Sequence, residues 1–141
     1  MRKIRPLIAV VDDEEAVRKA LGRLLQASGH AVETFNGGAE FLASLTSQRP
    51  DCVVLDIHMP GVSGFDVLQQ LAVTGVRLPV VILTGHDLPD AEARALRGGA
   101  SAYLRKPVND RVLLDAINTA SRHAATGSFY LAQCAMRKKI L

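Results

Sequence analysis

Five polar residues follow directly on short apolar runs: Asp12 and Asp13 after Val10-Val11, Asp56 after Val54-Leu55, Thr84 after Ile82-Leu83, and Lys106 shortly after Tyr103-Leu104. Three carboxylates brought to one point repel each other. At about 4 Å and an effective dielectric near 20, each pair costs on the order of 4 kcal/mol. Such a site is either partly protonated or built for a cation. Oxygen donors without any His/Cys ligand spacing select Mg²⁺ over zinc or copper. Mg²⁺ uses few protein carboxylates and leaves positions for water and a phosphate oxygen. A lysine and a threonine beside it supply a second positive charge and a hydroxyl donor for phosphoryl oxygens. An Asp nucleophile, a metal, a Lys and a Thr together make a phosphoryl-transfer site with Asp as acceptor.

The elements that must position these residues alternate. Residues 7–11 read as a strand, and 14–27 as a helix with Val17, Ala20, Leu21, Leu24 and Leu25 on one face, ended by a left-handed Gly29. Residues 31–35 form a weaker edge strand and 39–45 a short helix. The wholly apolar 52–55 reads as a central strand buried on both faces. Then come a helix at 64–73, a strand at 80–83, a helix at 89–97 closed by Gly98-Gly99, a strand at 102–104 and a helix at 110–122. Repeated βα units with right-handed crossovers imply an α/β domain with a parallel sheet. In such sheets ligands gather at the carboxyl ends of the strands, which is where all five polar residues fall.

Composition agrees. Apolar residues make up 48% of the 141 and aromatics 4%, so the core is aliphatic. No apolar run approaches the roughly 18 residues of a membrane span. Met1 to Pro6 carries charge without a signal-peptide core, and Cys52 and Cys134 stand in no metal or redox spacing, so a reduced cytoplasmic protein is expected. The net charge of +3 resides in Arg137, Lys138 and Lys139, leaving residues 1–122 balanced. That distribution gives no footprint for direct nucleic-acid binding.

Four segments, Val10-Val11-Asp12-Asp13-Glu14, Leu55-Asp56-Ile57-His58-Met59-Pro60-Gly61, Leu83-Thr84-Gly85 and Leu104-Arg105-Lys106-Pro107, together resemble the response-regulator receiver family of two-component signalling. The details are most similar to receivers of the FixJ/NarL kind, and the resemblance covers about residues 6–122. It implies a doubly wound, flavodoxin-like sheet in the order 2-1-3-4-5. It makes Asp56 the phosphoacceptor, charged by a histidine kinase. It makes Asp13 a direct Mg²⁺ ligand, with Asp12 assisting and the backbone carbonyl of His58 completing the set beside Asp56. Thr84 and Lys106 contact the phosphoryl group, and the Lys106–Pro107 bond is cis.

By the same resemblance Tyr103 moves inward when Thr84 shifts. That couples the site to the face of the fourth helix, fifth strand and fifth helix, where Leu96, Val112 and Leu113 would offer apolar contacts for a homodimer or a partner. His58 and His86 occupy positions that tune hydrolysis of the acyl phosphate, or are plain surface histidines. The protein is then no conventional enzyme: it catalyses its own aspartyl phosphorylation and dephosphorylation, and controls an output such as transcription.

Other readings stand beside this one. Asp12-Asp13 could cap a helix. An Asp-nucleophile phosphatase of the haloacid-dehalogenase type would need a second carboxylate where His58 stands. A phosphorylation-independent interaction module would need no metal. Residues 1–122 are expected to form the receiver, and 123–141 a linker and short basic tail.

Overall fold

The computed structural model describes residues 5–126, with side chains through Arg122. Strand β1 (Leu7–Val11), helix α1 (Glu15–Ala27), β2 (Ala31–Phe35), α2 (Gly38–Ser44), β3 (Cys52–Leu55), α3 (Gly64–Thr74), β4 (Val80–Thr84), α4 (Ala91–Arg97), β5 (Ala102–Arg105) and α5 (Asp110–Thr126) follow in strict alternation. All strand pairs are parallel, in the order β2-β1-β3-β4-β5. This is the sheet order expected.

The strands β1, β3 and β4 carry unbroken apolar runs because both of their faces are covered. Ile8, Val10, Cys52, Val54, Val81 and Leu83 pack with Leu21 and Leu25 of α1 and Leu113 and Ile117 of α5. Ala9, Val11, Val53, Leu55, Val80 and Ile82 pack on the opposite face with Phe41, Val67, Leu71 and Ala95 of α2, α3 and α4. Each fully buried Val, Leu or Ile contributes roughly 1.5–3 kcal/mol. The period-two alternation of a strand therefore serves two cores at once. Cys52 is buried, and burial pushes its thiol up to about 12, so it behaves as a small apolar group.

Several boundaries differ from the expected ones. Helix α4 starts at Ala91 and not at residue 89, because Asp90 adopts a left-handed φ of 64° that no helix continues through. Helix α2 begins one residue earlier, at Gly38, where a Cβ would meet Val67 at 2.8 Å. Helix α5 continues to Thr126, so the first four residues of the expected linker are helical. His123-Ala124-Ala125 contains no breaker, and the first one in the sequence is Gly127. The expected basic tail from residue 127 onward lies outside the described residues. Leu113 is wholly buried, which removes it from the surface to which it was assigned, whereas Val112 is 48% exposed. Among the described residues no helix is long and apolar enough to cross a membrane.

Candidate phosphoryl-transfer site

Three site residues are each fixed by a backbone bond that extends the strand ladder one step past its strand. The Asp12 N–H donates to the Phe35 carbonyl at 3.1 Å, the Asp56 N–H to Val11 at 3.0 Å, and the Lys106 N–H to Thr84 at 2.8 Å. The sheet thus holds the ends of β1, β3, β4 and β5 in register. The Lys106–Pro107 peptide is cis, as expected.

Carboxylate oxygens of Asp12, Asp13 and Asp56 lie within 4.8 Å of one another. Asp12 and Asp56 are buried, at 3% and 5% exposure, and Asp13 is exposed. Nζ of Lys106 donates to Oδ2 of Asp12 at 2.9 Å and lies 3.8 Å from Oε1 of Glu14. Asp13, Glu14, Asp56, His58, Gly85, His86 and Lys106 line a cleft of about 220 Å³. The structure therefore gathers Asp12, Asp13, Asp56, His58 and Lys106 as the sequence indicates. Asp12 is not a helix cap: Glu14 holds that position, and Oδ1 of Asp12 accepts from the Glu14 N–H at 2.9 Å in a local turn.

The electrostatics follow from this crowding. Burial, and then the charge of Asp12, raise the Asp56 carboxyl above its ordinary range against the opposing pull of Lys106. Burial pulls the Lys106 ammonium down, but its bond to Asp12 and the charges of Asp12, Asp56 and Glu14 outweigh this and raise it. Oδ1 of Asp56 is buried and has no hydrogen-bond partner among the described residues. An oxygen without a donor, beside two other carboxylates, is what a hard divalent cation satisfies, so the donor set fits Mg²⁺.

Thr84 is wholly buried, and its hydroxyl is engaged by the next loop. Oγ1 accepts from the His86 N–H at 3.1 Å and donates to the His86 carbonyl at 3.3 Å. Tyr103 is 7% exposed and packs on the α3–α4 side of the sheet. Its hydroxyl donates to Oδ1 of Asp87 at 3.0 Å. Burial, and then Asp87, push the phenol up to about 12. Arg105 grips the other oxygen of Asp87 at 2.5 Å and reaches Glu92 at 2.8 Å.

Sequence reasoning missed Glu14 as a wall of the cleft, the Asp87–Arg105 pair, and Gly64. A Cβ on Gly64 would meet the Asp56 carbonyl oxygen at 2.6 Å and Cα of Ile57 at 2.8 Å. This close approach sets α3 directly beneath the acceptor. The Ser63-x-x-Asp66 capping box, formed in both directions, fixes that helix start and is legible in the sequence.

An open parallel sheet in the order β2-β1-β3-β4-β5, with an acidic cluster, a lysine and a threonine at its carboxyl edge, defines a flavodoxin-like α/β module. Residues 8–118 match the response regulator receiver domain family, and the chain belongs to it. It is similar to nodulation protein W of Bradyrhizobium diazoefficiens, 36% identical over 118 residues, covering 83% of this chain and 52% of that protein. It is also similar to response regulator MprA of Mycolicibacterium vanbaalenii, 45% identical over 100 residues, covering 71% of this chain and 43% of that one. The chain spans about half the length of these curated relatives. Among solved structures it is similar to FixJ-N, with a TM-score of 0.79 and 34% identity, covering 86% of this chain and 97% of that one. The chain therefore carries a receiver domain of the two-component response-regulator kind.

Proposed function

We propose that this receiver takes a phosphoryl group from a histidine kinase onto Asp56 with the help of Mg²⁺. The event is then relayed through Thr84 and Tyr103 to the face made by α4, β5 and α5. The observation that carries the reading is Asp56 itself. It is a buried carboxylate at the end of a central strand, with one oxygen unpartnered, lining an open cleft beside Lys106.

Asp12, Asp13, Asp56 and the backbone carbonyl of His58 would hold the ion. Its charge lets an anionic phosphoryl group approach an anionic nucleophile. The chain's own residues do the rest. An Asp56 oxygen attacks phosphorus, the P–N bond of the donor phosphohistidine breaks, and its electron pair stays on the imidazole. Lys106 exchanges Asp12 for a phosphoryl oxygen. Thr84 gives up its two contacts with the His86 backbone and donates to another. Hydrolysis reverses the bond change, with water attacking phosphorus and the Asp56 carboxylate leaving. His58 and His86 flank the water's approach and set its rate. No separate substrate is turned over.

The loop that Thr84 releases also carries Asp87, which holds the Tyr103 hydroxyl. Movement at Thr84 thereby reaches Tyr103 and biases a two-state surface. Leu88 and Val112, 54% and 48% exposed, give that surface apolar contacts for a homodimer or a docking partner. The charge balance over residues 1–122 supports an output, such as transcription, exerted without direct nucleic-acid contact by this domain. We take residues 1–122, with the rest of α5, as the receiver acting in the cytoplasm, followed by a linker and basic tail.

Acetyl phosphate with MgCl₂ tests the reading by intact mass. One phosphoryl group is expected on wild type and none on Asp56→Asn or without the metal. Equal labelling of that variant would sink it.

A further inference from the structure

Asp87 follows His86 in the loop between β4 and α4, and two side chains of β5 hold it. The Tyr103 hydroxyl donates to its Oδ1 at 3.0 Å, and Nε of Arg105 donates to its Oδ2 at 2.5 Å. A second arm of the same guanidinium, Nη2, donates at 2.8 Å to Oε1 of Glu92 in the first turn of α4. The guanidinium carbon also stands 5.2 Å from the centroid of the Tyr103 ring, within reach of the ring's face charge. One cation thus ties the loop, the start of α4 and Tyr103 to β5. The Arg105 bond holds the Asp87 carboxyl below its ordinary range, so the pair stays charged at neutral pH.

The two ends of the loop explain what this clasp restrains. Asp90, the N-cap of α4, stands at a left-handed φ of 64° and makes no side-chain cap, so that helix start lacks the usual fixing bond. At the other end Thr84 is committed to the His86 backbone through both its N–H and its carbonyl. If Asp56 is the phosphoacceptor, Thr84 must release His86 to reach a phosphoryl oxygen, and the chain from His86 to Asp87 must move with it. Contacts made in only one of two arrangements bias the equilibrium by their own free energy. We propose that Arg105 is a positioning residue that restrains the switch: through Asp87 and Glu92 it clasps the β4–α4 loop to β5 while Thr84 is bound to His86, and so slows phosphorylation of Asp56. A lysine, a point charge on a flexible stem, replaces this fork only in part.

The test uses the full chain and two readouts, amide exchange before phosphorylation and the rate of labelling by acetyl phosphate with MgCl₂. In Arg105→Gln and in Asp87→Asn, amides of residues 85–92 should exchange faster while β1 and β3 keep their protection. Each variant should be labelled about two- to fivefold faster than wild type, the range that exposed ion pairs span. Arg105→Lys should fall between, and the double variant should match the single ones, because both act through one contact. Thermal melts establish that each variant is folded, and a merely structural role would lower melting without raising the labelling rate. Unchanged exchange, unchanged or slower labelling, or additive effects in the double variant overturn the clasp while labelling of wild type leaves the acceptor reading intact. Wild type that takes no label removes the acceptor reading, and the clasp's role in phosphorylation with it.

Discussion

Nζ of Lys106 and Oδ2 of Asp12 lie 2.9 Å apart, a contact between residues 94 positions apart in sequence. The pair joins the loop after β5 to the end of β1 across the cleft. Asp12 is only 3% exposed, so the Lys106 ammonium stands in for the water that its side chain has lost. Lys106→Met should destabilise the metal-free protein by about 1–3 kcal/mol in urea titrations, the cost of a buried polar group left without its partner. In excess MgCl₂ the loss should shrink, because the cation takes over the neutralising role. Equal losses in both conditions would mean that the metal does not reach Asp12.

Asp56 gives the metal-free protein a pH dependence of definite sign. Its carboxyl is raised above the ordinary 3.8, chiefly by burial and then by Asp12. Between the two values the folded chain keeps a proton that the unfolded chain has released, so stability falls as pH rises through that window. Relative to Asp56→Asn, which does not titrate, metal-free wild type should lose stability on going from about pH 4 toward neutrality. MgCl₂ should restore it by binding the ionised native state. A relative gain over the same climb, measured by thermal melts, would contradict a desolvated acceptor.

The sheet was legible because β1, β3 and β4 are buried on both faces, which demands continuous Val-Ile-Leu runs and punctuates each one with a polar residue. The acidic part of the site was legible for the same reason: Asp12, Asp13, Asp56 and Thr84 stand where those runs stop, and Lys106 follows the half-buried β5. Glu14 was not, since an exposed glutamate before a helix looks like any other until Lys106 arrives beside it. Nor was the Asp87–Arg105 pair, 18 residues apart on a loop and a strand, whose meeting depends on the β4–β5 register. Leu113 was misplaced because the fifth helix shows the sheet its 113–117–120 stripe, and one residue of phase separates it from exposed Val112.

Gly64 lets α3 approach the acceptor closely, because it has no Cβ to meet the Asp56 carbonyl. In Gly64→Ala the new methyl would meet backbone atoms of Asp56 and Ile57, which have little room to move. The strain should cost about 1–3 kcal/mol, as overpacking does, and should lower phosphoryl incorporation by displacing Asp56. Chemical denaturation and labelling on one preparation check both. A variant as stable and as readily labelled as wild type would show that the helix simply shifts.

Phosphorylation should change the surface around Tyr103. Sedimentation after acetyl phosphate is expected to show a symmetric dimer, and Tyr103→Ala is expected to be labelled normally yet stay monomeric. Amide exchange should change across α4 and β5. If exchange alters only near Asp56 and wild type stays monomeric, the relay stops short of that face in this chain.

The most direct test of the central claim is to locate the phosphoryl group itself. After treatment with acetyl phosphate and MgCl₂, the acyl phosphate is trapped by borohydride reduction and the product peptides are sequenced by mass spectrometry. The account predicts one modified residue, Asp56, in the peptide that spans β3. Modification at Asp12 or Asp13 instead, or none at any aspartate of a folded, metal-loaded sample, would contradict it.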